Sequence, residues 1–243
     1  HFSFSNLIHF ISIMHDIHND FEIENILEEN RKRHEIINAP YNPVTGLGAV
    51  GERKKISIKD SPIGDMYLPV ELIKENLFIR RLAKYGFKGY IIRFIKEVEY
   101  SEEALNQLWI EFIKYRIIYD FEYWAYSFIF IKDKVSPKDI PFKLNRAQRR
   151  GLNKLEKLRK AGKPIKFILL KARQWGGSTL VQIYMLWIML VHRRNWNTVI
   201  CGDVETQSRN VRAMITKALN KYPSYLLGET VKFTPFEGSS KNK

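Results

Sequence analysis

The sequence predicts an α/β protein: a mostly helical N-terminal region, then the start of a domain built on a parallel sheet. Three observations carry this. At 243 residues and 45% hydrophobic content the chain can bury a real core. Apolar residues recur at helical spacing through much of the first half. From residue 166 onward the pattern reads strand, turn, helix, strand, helix, the succession of βαβ units. The boundary is expected near residue 135, giving a helical region over 1–135 and the sheet domain over 136–243.

Taken in order, residues 1–38 read as amphipathic helix, with "FEIENILEENRKRHEII" the clearest part. The Pro- and Gly-bearing segment 39–68 reads as loop, with a short strand at Lys55 to Ile58. Pro69 suits the first position of a helix running to about Tyr85 and stopping at Gly86. Residues 101–131 read as helix: Ser101 is an N-cap, Glu102 and Glu103 complement the helix dipole, and Leu105, Leu108, Trp109, Phe112 and Ile113 recur at helical spacing. Pro137 and Pro141 interrupt the chain. A basic helix follows from Asn145 to Ala161, ended by Gly162 and Pro164. Next come a strand at Lys166 to Leu170, a helix at Gly177 to His192, a strand at Thr198 to Gly202, and a helix from Glu205 to Lys221. The helix after the turn is apolar nearly all round, which predicts packing on both sides.

The formal net charge is +14, and the stretch Lys132 to Arg173, with 15 basic and 3 acidic residues, holds a net +12 of it. Such a balance points to a polyanionic partner, with a solvated basic surface as the plainer reading. Cys201 is the single cysteine, so no disulfide closes within the chain, which fits a reducing cytoplasm. No signal peptide is visible, and the apolar run Leu180 to Val191 is too short to span a bilayer. The chain starts at His1 rather than Met and is expected to be a fragment. His15 and His18 have metal-ligand spacing but no accompanying Cys or carboxylate pattern. Trp109, Trp124 and Tyr126 suit a core better than a base-stacking platform. Asp203, at a strand end, suits either an active site or a helix cap.

The stretch "LLKARQWGGSTLVQ", Leu169 to Gln182, is where the chemistry concentrates. A phosphate-binding P-loop reads G-x-x-x-x-G-K-[ST] between a buried strand and a helix. Gly176 and Ser178 fall into its register, whereas Gly177 stands where the lysine belongs and Lys171 where the first glycine belongs. Gly176 and Gly177 let the backbone approach an anion, the helix behind supplies N–H donors, and Ser178 or Thr179 can offer a hydroxyl to Mg2+. The cation is then Lys171 or Arg173, folding back over the phosphates. A strand-to-helix turn with surface cations is the alternative. Upstream, "PFKLNRAQRRGL" places Gln148 where its amide can read an adenine edge. Asn145 and Gln148 also have capping-box spacing, and the two roles are compatible. Arg146, Arg149, Arg150, Lys154 and Lys157 on the same helix can track a nucleic-acid backbone or form a solvated face.

"PFKLNRAQ", "KFILLKARQWGGSTL" and "NTVICGDVETQSRNVRAMITKAL" together resemble the start of the ATPase domain of tailed-phage large terminases, and the Pro- and Gly-bearing approach segment resembles those ahead of the motor in terminases of crAss-like gut phages. The specific part covers about residues 141–221. The resemblance implies a P-loop NTPase fold in which ATP and Mg2+ are cofactors. An aromatic-plus-Gln motif, here Phe142 and Gln148, binds adenine. A deviant Walker A loop carries its lysine at the start, as Lys171 does, and runs through Ala172, Arg173, Gln174, Trp175, Gly176, Gly177, Ser178 and Thr179. Lys171 and Arg173 are the implied catalytic cations, Ser178 the implied Mg2+ ligand, and Arg173 the implied coupler of hydrolysis to movement. Implied partners are double-stranded DNA, a portal protein, a small terminase subunit and further copies in a ring, in the host cytoplasm and transiently at the procapsid, with no membrane. The family's Walker B carboxylates and nuclease acids are not found before Lys243, so this chain alone is expected to hydrolyse ATP poorly. A helicase-type ATPase is the near alternative, and a non-enzymatic basic nucleic-acid-binding or assembly protein is the distant one.

Overall fold

A computed structural model describes residues 23–32, 35, 39–95, 100–133, 136–168, 175–192, 198–200 and 204–227. It is mostly helical, with two small antiparallel sheets. Contacts divide the chain into 1–40 and 41–243. In the first unit, helix α1 (23–32) is exposed throughout and carries a Glu28–Lys32 pair one turn apart.

The second unit opens with a tight turn. The Asn42 side chain accepts from the Val44 N–H at 2.9 Å, and Asn42 bridges Leu47. Strands β1 (Arg53–Ser57) and β2 (Asp65–Pro69) then pair antiparallel, with Ile56 opposite Met66. The expected strand at 55–58 is therefore one arm of a hairpin whose partner, "DMYLP", gives no strand signal of its own. Pro69 is not the first residue of the helix but the residue before it. Helix α2 (Val70–Glu75) ends at Asn76, whose side chain caps α3 (Leu77–Phe94) by accepting from the Ile79 N–H at 3.1 Å.

Gly86 ends the first helical stretch as expected, and α3 is two helices, 77–85 and 87–94, meeting at a kink there. Its φ of 73° and ψ of 176° are left to glycine, and the next N–H, on Phe87, donates to the Lys59 carbonyl at 3.1 Å. A Cβ at Gly86 would lie 2.8 Å from the Lys59 Cβ. Phe78 and Tyr90, which a straight helix would hold about 18 Å apart along its axis, therefore meet with ring centroids at 5.1 Å.

Ser101 caps α4 (Glu102–Tyr119) as expected, accepting from the Ala104 N–H at 3.1 Å. The helix does not continue to 131. Asp120 leaves the helical region and caps a separate α5 (Phe121–Phe128), after which β3 (Phe130–Lys132) pairs antiparallel with β4 (Asp139–Pro141). The cause is a buried ion-pair cluster. Arg53 grips Asp120 with two hydrogen bonds of 2.9 and 3.0 Å, and Arg116 adds a third at 3.1 Å. Burial pushes the Asp120 carboxyl up, but the two guanidiniums outweigh it and hold it below its ordinary range.

Helix α6 (Arg146–Lys160) and helix α7 (Gly177–Trp187) follow their expected bounds, except that α7 passes into a π-helical turn over Ile188–His192. Helix α8 (Glu205–Asn220) and the short α9 (Ser224–Leu227) close the described chain. One apolar core gathers α4, α5, α6, α7 and α8 around Trp124, Phe142, Ile183 and Trp187; a second joins the β1–β2 hairpin to α2, α3 and α4. No described helix is long and apolar enough to cross a membrane.

Among the described residues there is no parallel strand pairing. Residues 166–168 and 198–200 belong to no strand, and 169–170 and 201–202 lie outside the described residues. Helix α7 is also not covered all round: Val181 is 37% exposed on one flank.

Candidate functional site

The starts of α6 and α7 are built into one corner. Asn145 caps α6 through a full capping box: its Oδ1 accepts from the Gln148 N–H, and Gln148 Oε1 accepts from the Asn145 N–H, both at 2.9 Å. The same two side chains reach forward about thirty residues. Asn145 Nδ2 donates to the Trp175 carbonyl at 3.0 Å, and Gln148 Nε2 to the Gly176 carbonyl at 2.9 Å. The cap and the loop end are thus one hydrogen-bonded unit.

Gly176 is the N-cap of α7 and sits in the left-handed region at φ 80°, ψ 22°. Glycine is needed twice over, since a Cβ there would also lie 2.6 Å from Gln148 Nε2. With no side chain at the cap, Gly176 offers the first N–H groups of α7 no side-chain acceptor, the kind of helix start at which an anion can be received. Gly177 is buried, Ser178 is exposed on the first turn, and Thr179 is half-buried. On the other side, Gly151 leaves room for Leu180 and Trp175, so α6 and α7 approach closely. Glu156 of α6 ties the pair further along, accepting from the Tyr184 hydroxyl at 2.7 Å and from Arg159 at 2.8 Å. Burial raises the Glu156 carboxyl, yet Arg159 and Tyr184 hold it below its usual range.

The remaining expected site residues divide cleanly. Lys171, Ala172, Arg173 and Gln174 lie outside the described residues, as do Cys201 and Asp203. Phe142 is only 2% exposed and belongs to the core beside Leu144 and Leu152. Gln148 is buried with both ends of its amide engaged, although each end keeps capacity for one more hydrogen bond. Trp124 is core, as expected, and donates to the Tyr222 hydroxyl at 2.9 Å. Among the described residues no group of three His, Cys, Asp or Glu side chains could hold a metal ion.

The cations of α6 do unequal work. Arg149 lies 4.1 Å over the Tyr41 ring and donates to the Gly48 carbonyl, pinning the helix to the 41–50 turn. Lys160 pairs with Glu71 and Arg159 with Glu156. Arg150, Lys154 and Lys157 face solvent. An apolar cavity of about 480 Å3 opens on the flank of α7, between Val181 and Met185 on one side and Ile165, Phe167 and Thr198 on the other.

Sequence reasoning did not find the Arg53–Arg116–Asp120 cluster. Its members lie up to 67 residues apart, and no local pattern marks them. Beside it, Glu122 accepts from the Val50 N–H, and burial pushes its carboxyl up to about 7 against the pull of Arg53.

Against known proteins, the chain matches no family model, no curated protein and no solved structure.

Proposed function

We propose that this chain is the nucleotide-binding part of a phage DNA-packaging motor of the large-terminase type, coupling ATP hydrolysis to movement of double-stranded DNA. The observation that carries the reading is the pair of hydrogen bonds from Asn145 and Gln148 to the Trp175 and Gly176 carbonyls. They join the two sequence segments on which the resemblance rests.

The donor set at the corner fits a phosphate. A left-handed glycine opens a helix whose first N–H groups have no side-chain cap, and Ser178 stands exposed one turn in. Gly177 and the backbone around it would hold phosphate oxygens, Ser178 would hold Mg2+, and Lys171 and Arg173 would neutralise phosphate charge. Bound ATP would supply the phosphoanhydride whose cleavage drives movement. Gln148 keeps the loop end fixed to α6 and retains one N–H and one lone pair for an adenine edge. Phe142 supports that helix start from within the core rather than stacking on a base.

The parallel sheet belongs to the same reading. Ile168 is 99% exposed and Val199 79%, beside an apolar flank of α7. Such residues are expected in the central strands of a parallel sheet, which are buried on both faces. Exposed Arg150, Lys154 and Lys157 would then hold duplex phosphates. A portal protein, a small subunit and a ring of copies would complete the assembly.

Binding of a fluorescent ATP analogue, with and without Mg2+, tests this. The chain should bind it, and Lys171→Ala or Arg173→Ala should each weaken binding by about 10- to 100-fold, the value of one charge-assisted contact. Absence of affinity, or affinity indifferent to both substitutions, sinks the motor reading and leaves the basic nucleic-acid-binding one.

A further inference from the structure

Helix α3, "LFIRRLAKYGFKGYIIRF", carries five cations and no acid. Among the described residues none of Arg80, Arg81, Lys84, Lys88 and Arg93 is in an ion pair. Four of them lie over aromatic rings instead. Arg81 is 4.5 Å from the Phe94 centroid, Arg93 and Lys84 are 4.7 and 5.2 Å from that of Tyr85, and Lys88 is 4.8 Å from that of Tyr100. A ring face orients a cation without neutralising it, so the N–H donors stay available for an anion.

The rings themselves are continuous. The kink at Gly86 brings Tyr85 to 5.6 Å from Phe94 and Phe78 to 5.1 Å from Tyr90, while Phe94 meets Tyr90 one turn away at 5.0 Å. The series extends to Tyr115 of α4 at 5.4 Å. Within and beside it, Phe94 is 39% exposed, Tyr115 38%, and the nearby Tyr100 48%. Exposed rings alternating with unneutralised cations match a chain that offers phosphates and bare base faces together. A duplex hides its base faces in its own stack, so these rings would gain nothing from it.

We infer that the outer face of α3, with Tyr100, binds single-stranded nucleic acid, the cations taking phosphates while Phe94 and Tyr100 stack on bases. This surface is separate from the α6–α7 corner, and the inference does not depend on the nucleotide reading.

The test uses the full chain and a labelled oligothymidylate of about 20 nucleotides, read by fluorescence anisotropy against a duplex of the same length. The ring substitutions should weaken binding of the single strand and leave binding of the duplex unchanged. Arg81→Glu and Arg93→Glu should each weaken single-strand binding by about tenfold and flatten its salt dependence. Phe94→Ala and Tyr100→Ala should also weaken it by about tenfold, with the salt slope unchanged, because they remove stacking and leave phosphate contacts intact. Two ring variants are used so that a folding defect in one, read from its melting temperature, leaves the other decisive. Duplex binding that the ring variants weaken as much as single-strand binding overturns the inference. So do ring variants without effect, or anionic vesicles or polyglutamate displacing the strand at equal charge. ATP-analogue binding should be unaltered in all four variants, so failure here and failure of the motor reading are distinguishable.

Discussion

Glu122 and Asp120 are near neighbours in one buried cluster, yet their carboxyls are driven in opposite directions. Asp120 has two guanidiniums on it and stays ionised. Glu122 has one backbone N–H and a 3.7 Å approach from Arg53, and burial prevails. The pH consequences have opposite signs. A folded-state value raised from 4.5 to about 7 means that Glu122 supports the fold fully below about 4.5 and that this support is lost as pH rises through about 7. Asp120, lowered, supports the fold above its ordinary value of 3.8 and ceases to as pH falls. Glu122→Gln keeps an acceptor for the Val50 N–H and removes the titration. Its melting temperature should vary less than that of the parent between about pH 5 and pH 8, with a gain at the upper end on the order of 1–3 kcal/mol. A parent protein whose stability does not fall over that range counts against a buried, raised Glu122.

At the scale of elements, the bend in α3 is the feature a single substitution should remove. Gly86→Ala must accept both a glycine-only backbone conformation and a close approach to Lys59. The expected cost is about 2–3 kcal/mol, read from urea denaturation, with a concurrent loss of the ring contacts between the two halves of the helix. Which elements were legible from sequence follows from where their determinants lie. Ser101 and the Asn145–Gln148 pair act three residues away, and both caps could be read locally. Gly86 was legible as the stop of the first helix, but that a second helix resumes at Phe87, whose N–H reaches the Lys59 carbonyl, was not. The break at Asp120 was illegible, because what holds Asp120 out of the helix is Arg53, from a strand 67 residues earlier. At the candidate site, Gly176 and Gln148 were both singled out from sequence. That Gln148 bonds the Gly176 carbonyl was not visible, since two segments 28 residues apart had to be brought together first.

Over the whole molecule, residues from α4 to Tyr222 share a single core, and polar bonds lock its distant parts. Trp187 Nε1 donates to the Ile117 carbonyl at 2.8 Å, and both Lys217 and Lys221 of the C-terminal helical segment grip Asp139. Half-buried Trp109 and Ile63 border both cores. The described residues from 41 onward should therefore unfold together. Urea transitions followed by the fluorescence of the five tryptophans and by helical circular dichroism should coincide. Two separate midpoints would divide the unit into independent domains. The corner where α6 and α7 start has an electrostatic consequence at this same scale. The uncapped start of α7 carries about half a positive charge that belongs to no ionisable group. No pH titrates it and no lysine substitution deletes it. An anion attracted there should keep a residual, salt-screened affinity after every nearby side-chain cation has been replaced.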